Sequence, residues 1–211
     1  MASNKNAPEY EITKESYNNN PAYIKKLQLF NWQNQINEFI KGLDGKKVLD
    51  AGCGAGRDIK EFLNKGFEVT GVDYSVENIK VAKQSFPRAK LFEGNILQMG
   101  FIPGNSFDGV WACASVLHVK KADLQRALQE FRRVLKPKGR LFVSVKKGEG
   151  EKIVEDEAGK RFFSFYKESE MKEAIERAGF KVTKIEVVRH EQLTGRDPQK
   201  PDWICLYAQK T

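Results

Sequence analysis

Residues 48–58 read Val-Leu-Asp-Ala-Gly-Cys-Gly-Ala-Gly-Arg-Asp, an apolar run, a glycine-rich turn and the start of a polar segment. Glycines at 52, 54 and 56 let a backbone turn tightly and approach a ligand lying over a helix N-terminus. A dinucleotide fingerprint wants its third glycine five positions after the first, and position 57 is Arg. Asp50, just before the turn, would repel a pyrophosphate but suits a ligand bearing an ammonium and a sulfonium. Asp73 ends the next apolar stretch, where a carboxylate can accept both hydroxyls of a ribose, and Ser75 is the better-placed helix cap. Together these residues fit a nucleoside with an amino-acid tail and exclude a nicotinamide dinucleotide.

These residues need strands and helices to hold them. Lys47–Ala51 reads as a buried strand, residues 58–65 as a helix closed by Gly66, residues 67–72 as a second strand, and a helix capped by Ser75 runs to about Ser85. Lys90–Glu93 is a short third strand and residues 107–114 a fourth. Leu124, Leu128, Phe131 and Leu135 keep helical spacing until Lys136-Pro137-Lys138-Gly139 stops them, and residues 140–145 form a fifth strand. Such alternation predicts a mostly parallel sheet covered on both faces. Before it, Tyr23, Leu27, Phe30, Ile36, Phe39 and Ile40 predict one helix over 22–41, ended by Gly42, behind a polar leader at 1–21. After it come a helix bearing Met171, Ile175 and Ala178 and two strands, 181–189 and 203–209, with no helix between them, which predicts an antiparallel edge pair.

The 211 residues suit a single domain over 22–211, and 40% hydrophobic with 30% charged residues is the composition of a globular protein. No window holds the ~18 apolar residues of a membrane span, and the polar N-terminus has no signal-like core. Cys53, Cys113 and Cys205, odd in number and widely separated, point to reduced thiols in a cytosolic compartment and give no metal-ligand spacing. The net charge of +8 invites a nucleic-acid reading. Residues 46–145 hold most of the surplus, with 17 Lys and Arg against 10 Asp and Glu. Lys46, Lys47, Lys65, Arg88, Lys90, Lys136, Lys138 and Arg140 fall at or just before strand starts, opposite the edge where such sheets bind ligands, so nucleic acid is disfavoured as a partner.

The segments DAGCGAGRD, VTGVDYS, GNILQM, FDGVWACASVLHV and VLKPKGRLFVSV resemble, in order and spacing, the motifs of class I S-adenosylmethionine-dependent methyltransferases over residues 46–145. The resemblance implies a Rossmann-like, doubly wound α/β fold: a mostly parallel seven-stranded sheet with a reversed C-terminal hairpin. It also implies S-adenosyl-L-methionine as cofactor and S-adenosyl-L-homocysteine as product. Asp50, Gly52, Cys53, Gly54 and Gly56, with Arg57 adjoining, would hold the methionine part, Asp73 with Tyr74 the ribose, and Asn95 with Ile96 the adenine edge. Family members often carry an acid at position 95, and Asn retains an acceptor there. Ala114 would pass beside the methionine moiety.

A methyl group on a sulfonium is already activated, so the protein has to align an acceptor and exclude water. His118, just past the fourth strand, is either a general base or a histidine satisfying a loop carbonyl. The fourth strand has no Asn-Pro-Pro-Tyr motif for base amino groups, no Pro-Cys for cytosine chemistry and no following aspartate for a metal-held catechol. A small-molecule acceptor is therefore the first expectation, an RNA or protein methyltransferase the second and a non-catalytic binding scaffold the third. Residues 146–166, with Gly148 and Gly150, are long enough for an acceptor lid in which Arg161 and Tyr166 would meet substrate. The competing expectation is a simple hairpin packed on the helix of residues 167–178, with Arg161 paired to Glu155 or Glu157. The leader's Tyr10, Tyr17 and Tyr23 would either close over the cofactor or belong to a frayed tail.

Overall fold

Val48, Leu49 and Ala51 are fully buried, and their strand β1 (Lys47–Ala51) is the middle of the sheet because both neighbours run parallel to it. Those neighbours are β2 (Glu68–Asp73) and β4 (Phe107–Cys113). The computed structural model describes residues 7–20, 28–195 and 197–211. β3 (Lys90–Glu93) extends the sheet beyond β2, and β5 (Leu135–Lys146) lies parallel beside β4. Two further strands, β8 (Phe180–Val188) and β9 (Trp203–Lys210), pair antiparallel, and β9 also runs antiparallel to β5. The order is therefore β3-β2-β1-β4-β5-β9-β8, the seven-stranded sheet with a reversed final hairpin that the motifs imply. Because β1 is flanked by β2 on one side and β4 on the other, the chain reverses its winding there and leaves a crevice at the carboxyl ends of both strands.

Helix α3 (Arg57–Asn64) follows the glycine turn, and α4 (Val76–Ser85) is capped by Ser75, whose Oγ accepts the Asn78 N–H at 3.1 Å. α5 (Leu124–Val134) connects β4 to β5, and α6 (Glu168–Arg177) precedes β8. Aromatic rings fill the layer beneath β1, β4 and β5. Trp111 stacks on Phe142 with centroids 3.9 Å apart and planes 11° apart, while Phe39 and Phe62 meet Trp111 at 5.3 and 5.6 Å. Each such ring contributes about 1.5–3 kcal/mol by leaving water.

Four local expectations change. The predicted helix over 22–41 is helical only from Gln33 to Lys41 (α2); its portion at 22–27 lies outside the described residues. Asn31 causes the late start, since its Oδ1 accepts the Gln33 N–H at 3.0 Å, a local bond that competes with helix, while its own N–H goes to Leu193 O. The leader contains a helix, α1 (Pro8–Asn19), with proline in its first turn, where a missing N–H costs nothing. β5 begins at Leu135, not 140, because Leu135 pairs with Phe107 and the Lys-Pro-Lys-Gly segment forms an irregularity between two stretches of ladder, with Lys138 at φ +62°. Finally, a short helix α7 (His190–Thr194) does stand between β8 and β9, closed by Gly195 at φ +70°.

Gly109 makes the aromatic layer possible, since a Cβ there would lie 2.6 Å from Phe39 Cζ and 2.9 Å from Leu43 Cδ2. Gly109→Ala should cost about 1–3 kcal/mol by overpacking and lower the melting temperature by roughly 2–4 °C per kcal/mol. Adding Phe39→Leu should recover part of the loss in the same thermal melt. An unchanged melting temperature in the single variant would refute the packing argument.

Candidate functional site

The turn between β1 and α3 has three glycines in the left-handed region: Gly52 at φ +84°, Gly54 at +53° and Gly56 at +92°. A Cβ at Gly52 would collide with Ser115 and one at Gly56 would reach the Phe86 ring, whereas nothing stands within 4 Å of a Cβ at Gly54. The outer two glycines thus answer to packing and the middle one to open space. That space is a cavity of about 420 Å³ bordered by Gly52, Gly54, Asp73, Asn95, Ile96 and Ala114. Ala114 itself takes φ +56° as β4 ends, with its N–H bonded to Ser144 Oγ at 2.9 Å.

Two carboxylates govern the electrostatics of this end. Asp73 accepts from Gly54 N at 2.7 Å, Ser75 N at 2.9 Å and Asn78 Nδ2 at 3.2 Å, so its orientation is fixed although burial pushes its pKa up. Asp50 is 2% exposed, lies behind the cavity wall, and its Oδ2 has no hydrogen-bond partner among the described residues. Burial, then the charges of Asp58 and Asp73, hold its pKa well above the usual carboxylate range despite nearby Arg57. Arg57 is engaged elsewhere: Nε and Nη2 fork onto Asp58 at 2.7 and 2.6 Å, and Nη2 also reaches Cys113 Sγ at 3.3 Å. Asp58 in turn accepts the Trp111 indole N–H at 2.8 Å. Cys53, Cys113 and Cys205 are buried free thiols with pKa values raised by burial. The described residues hold no cluster of three metal-ligating side chains.

α1 and a hairpin close the opposite wall. Strands β6 (Glu151–Asp156) and β7 (Gly159–Ser164) pair antiparallel and pack on α1 and on the 3-10 turn Val116–His118, not on α6. Thr13 Oγ1 accepts the Phe162 N–H at 3.0 Å, Ser16 donates to Ala158 O, and Tyr10 donates to Asp123. Tyr74 donates to Glu11, and the Ser75 hydroxyl donates to Asn18 Oδ1 at 2.6 Å, which ties α1 to the cofactor edge as well. His118 sits at the centre of this wall. Its Nδ1 lies 2.6 Å from Phe162 O, which can only accept, so Nδ1 carries the proton and Nε2 accepts from Tyr17 Oη at 3.0 Å. Burial, then the Arg161 guanidinium, push the His118 pKa down to about 3, and the ring is neutral at ordinary pH.

The structure gathers most of the sequence-predicted residues around one cavity. Gly52, Cys53, Gly54, Arg57, Asp73, Tyr74, Asn95, Ile96, Ala114, His118 and Arg161 all border it. Asn95 uses Oδ1 to accept the Leu97 N–H at 2.9 Å, which fixes the side chain beside Ile96. Arg161 is 4% exposed and pairs with Asp156 at 2.6 Å rather than with Glu155 or Glu157, and its Nη1 reaches Tyr17 Oη at 3.3 Å. Tyr166 is a correction: it is 1% exposed, absent from the cavity wall and covered by Lys121 Nζ 4.8 Å from its ring centroid. Its alternation with Phe165 along the chain turns it inward to the core. Tyr23 lies outside the described residues.

Sequence reasoning missed a second group bordering the same cavity, Lys146 with His190 and Trp203. Lys146 Nζ donates to Pro201 O at 2.8 Å and lies 2.9 Å from His190 Nδ1 and 3.9 Å from the Trp203 ring centroid. These residues come from three elements and no local spacing joins them. Only the position of Lys146 at the end of a parallel strand was available as a signal.

A family profile described as a methyltransferase domain matches residues 49–143. Demethylmenaquinone methyltransferase of Renibacterium salmoninarum is 28% identical over 138 residues, which cover 65% of this chain and 54% of that protein. An uncharacterized protein of Methanocaldococcus jannaschii is 34% identical over 172 residues, 77% of this chain and 69% of that one. A solved structure of Burkholderia thailandensis 1,6-didemethyltoxoflavin-N1-methyltransferase, with 1,6-didemethyltoxoflavin and S-adenosylhomocysteine bound, has the same fold. Its TM-score is 0.74 at 20% identity, covering 100% of this chain and 93% of that chain. Over residues 49–143 this chain matches the methyltransferase-domain family, and its fold is that of solved S-adenosylmethionine-dependent methyltransferases. It spans about half the length of the first curated relatives it matches, 54% and 49% for two of them, and 69% of the Methanocaldococcus jannaschii protein.

The residues on the cavity wall fit the family's cofactor, since Asp73, fixed by three donors, borders open space over Gly54; Asp50, whose buried Oδ2 has no partner among the described residues, stands off that wall. Asp50→Asn removes a charge that the unliganded fold does not neutralise. Because the folded pKa is raised, the ionised form penalises the fold above the unfolded carboxylate range of ~4. The variant should therefore melt higher than the wild type at neutral pH, and the difference should vanish below about pH 4. S-adenosylhomocysteine affinity should fall by roughly tenfold to a hundredfold, the worth of a charge-assisted bond of ~1.5–3 kcal/mol. Calorimetry showing unchanged affinity would remove Asp50 from the site.

Proposed function

We propose that the protein transfers a methyl group from S-adenosylmethionine to a small-molecule acceptor. The observation that carries this reading is the walled cavity: the glycine turn and Asp73 border one side, and α1 with the β6–β7 hairpin borders the other. Its volume of about 420 Å³ belongs to small-ligand pockets, which run ~300–1,000 Å³. A folded RNA or a protein chain would have to displace α1, which is held at both ends of the cavity.

The sulfonium supplies an activated methyl group, and the acceptor's lone pair takes it as the carbon–sulfur bond breaks. Asp50 would hold the ammonium of the amino-acid tail, Asp73 a ribose hydroxyl, and the Asn95–Ile96 segment the adenine edge. Tyr74, tied to Glu11 and lying under Lys14 at 4.4 Å, would secure the ribose side by holding α1 down. A base with a pKa near 3 takes protons poorly, so His118 contributes chiefly by aiming the Tyr17 hydroxyl and ring into the cavity. Arg161 neutralises Asp156 and braces Tyr17 from the other side; its guanidinium stands 5.7 Å from that ring.

S-adenosylhomocysteine at ~100 times its dissociation constant should stabilise the protein by ~2.7 kcal/mol in a thermal melt, and NADH should not. Radiolabelled S-adenosylmethionine should then label a metabolite extract and leave an RNA fraction and a protein fraction unlabelled. Labelled RNA or protein would overturn the small-molecule reading.

Arg161→Ala separates bracing from direct acceptor contact. Bracing predicts a lower melting temperature and weaker binding of both substrates, whereas a direct acceptor ligand would raise only the acceptor KM.

A further inference from the structure

The Lys146 ammonium is unusual in this protein because no carboxylate among the described residues lies within ion-pair distance of it, although the residue is only 8% exposed. Two of its three protons are placed, one toward Pro201 O at 2.8 Å and one toward His190 Nδ1 at 2.9 Å; the third N–H has no oxygen or nitrogen acceptor among the described residues, the ammonium standing 3.9 Å from the Trp203 ring centroid. His190 is fixed in turn by Trp203, whose indole N–H lies 3.3 Å from the same Nδ1 and whose ring is near-parallel to the imidazole at 12°. Phe30 meets both rings edge-on, at 5.4 and 6.1 Å. Cation, imidazole, indole and Phe30 all border the cavity already described.

We propose that this cluster is the acceptor's recognition site, and that the acceptor is a planar ring bearing an anionic oxygen which takes the third Lys146 N–H while the ring lies among Phe30, His190 and Trp203. The assignment rests on the methyltransferase reading and names its substrate class. Position separates the cluster from the cofactor: Lys146 ends β5, two strands beyond β1 and four residues past Phe142, which is level with Asp50, so ~4.8 Å per strand and ~3.3 Å per residue put it roughly 16 Å from Asp50. Arg161, the other buried cation of the cavity, is already matched by Asp156.

Other charged groups near Lys146 set its pH behaviour. Burial, then Lys200, push its pKa down to about 7, with Asp202 opposing; His190, held down to about 4 by burial and then by Lys146, stays neutral above pH 5. Asp197 pairs with Lys200 at 3.5 Å. The ammonium is therefore present at pH 6 and lost as pH rises through 7.

The probes are benzoate and its neutral isostere benzamide, titrated into protein saturated with S-adenosylhomocysteine. Benzoate should bind, more weakly as pH rises from 6 to 8, and benzamide at least tenfold more weakly than benzoate at pH 6. Lys146→Met should lose tenfold or more of benzoate affinity with S-adenosylhomocysteine affinity unchanged. Lys146→Arg should keep benzoate binding and flatten its pH dependence, which guards against a variant that merely misfolds. Equal binding of benzoate to wild type and Lys146→Met, or a Lys146→Met loss confined to S-adenosylhomocysteine, overturns the assignment. Failure of the wild type to bind S-adenosylhomocysteine at all would instead strike the methyltransferase reading.

Discussion

The carboxylate of Asp58 is the fastening on which the site depends. It receives a two-pronged Arg57 contact and the Trp111 indole N–H, so the first turn of α3 is bolted to the middle of β4. Arg57 belongs to the segment that leaves the glycine turn, and Trp111 belongs to the aromatic layer stacked on Phe142. The turn therefore cannot shift without disturbing a ring that is fully buried. Burial opposes the Arg57 charge, but Asp58 more than offsets it and its pKa stays raised. A buried charge with one partner removed is costly, which makes this arrangement rigid whatever its net contribution to stability.

That fastening also explains why Asp50 is left unmatched. Arg57 is the nearest cation, and Asp58 has taken its fork. A carboxylate in this position is poorly solvated and surrounded by acids, so a ligand's ammonium meets an electrostatic demand already built into the fold. At the β5 side the sign reverses, with Lys146 unneutralised. Unmatched groups of opposite sign thus stand at the β1 and β5 sides of the site.

The sheet was legible because buried parallel strands write themselves as apolar runs separated by helices, and Asp50, the three glycines and Asp73 sit at the ends of those runs where ligands must bind. What was not legible is tertiary. Nothing near Asn31 announces that it will cap Gln33 and bond to Leu193, and that pair of bonds shortens the predicted helix. Tyr166 follows aromatic neighbours that border the cavity, yet strand alternation buries it. Lys146 reads in the sequence as the first residue of the segment that leaves the fifth strand; its meaning depends on His190 and Trp203, which α7 and β9 bring to it from the far end of the chain.

α1 supplies one side of the cavity wall. It meets the rest of the site through hydrogen bonds such as Tyr17 to His118 and Thr13 to Phe162, ion pairs such as Lys14 with Glu93, and ring contacts, with Tyr17 edge-on to His118 at 5.7 Å. Hydrogen bonds of this kind contribute ~0.5–1.5 kcal/mol each in net terms because water replaces them when they break. The aromatic layer beneath the sheet has no such exchange available. α1 carries Tyr10 and Tyr17 into the cavity wall. The bonds of α1 to the hairpin, to His118 and to Ser75 make the N-terminal helix part of the cavity wall rather than an appendage to it.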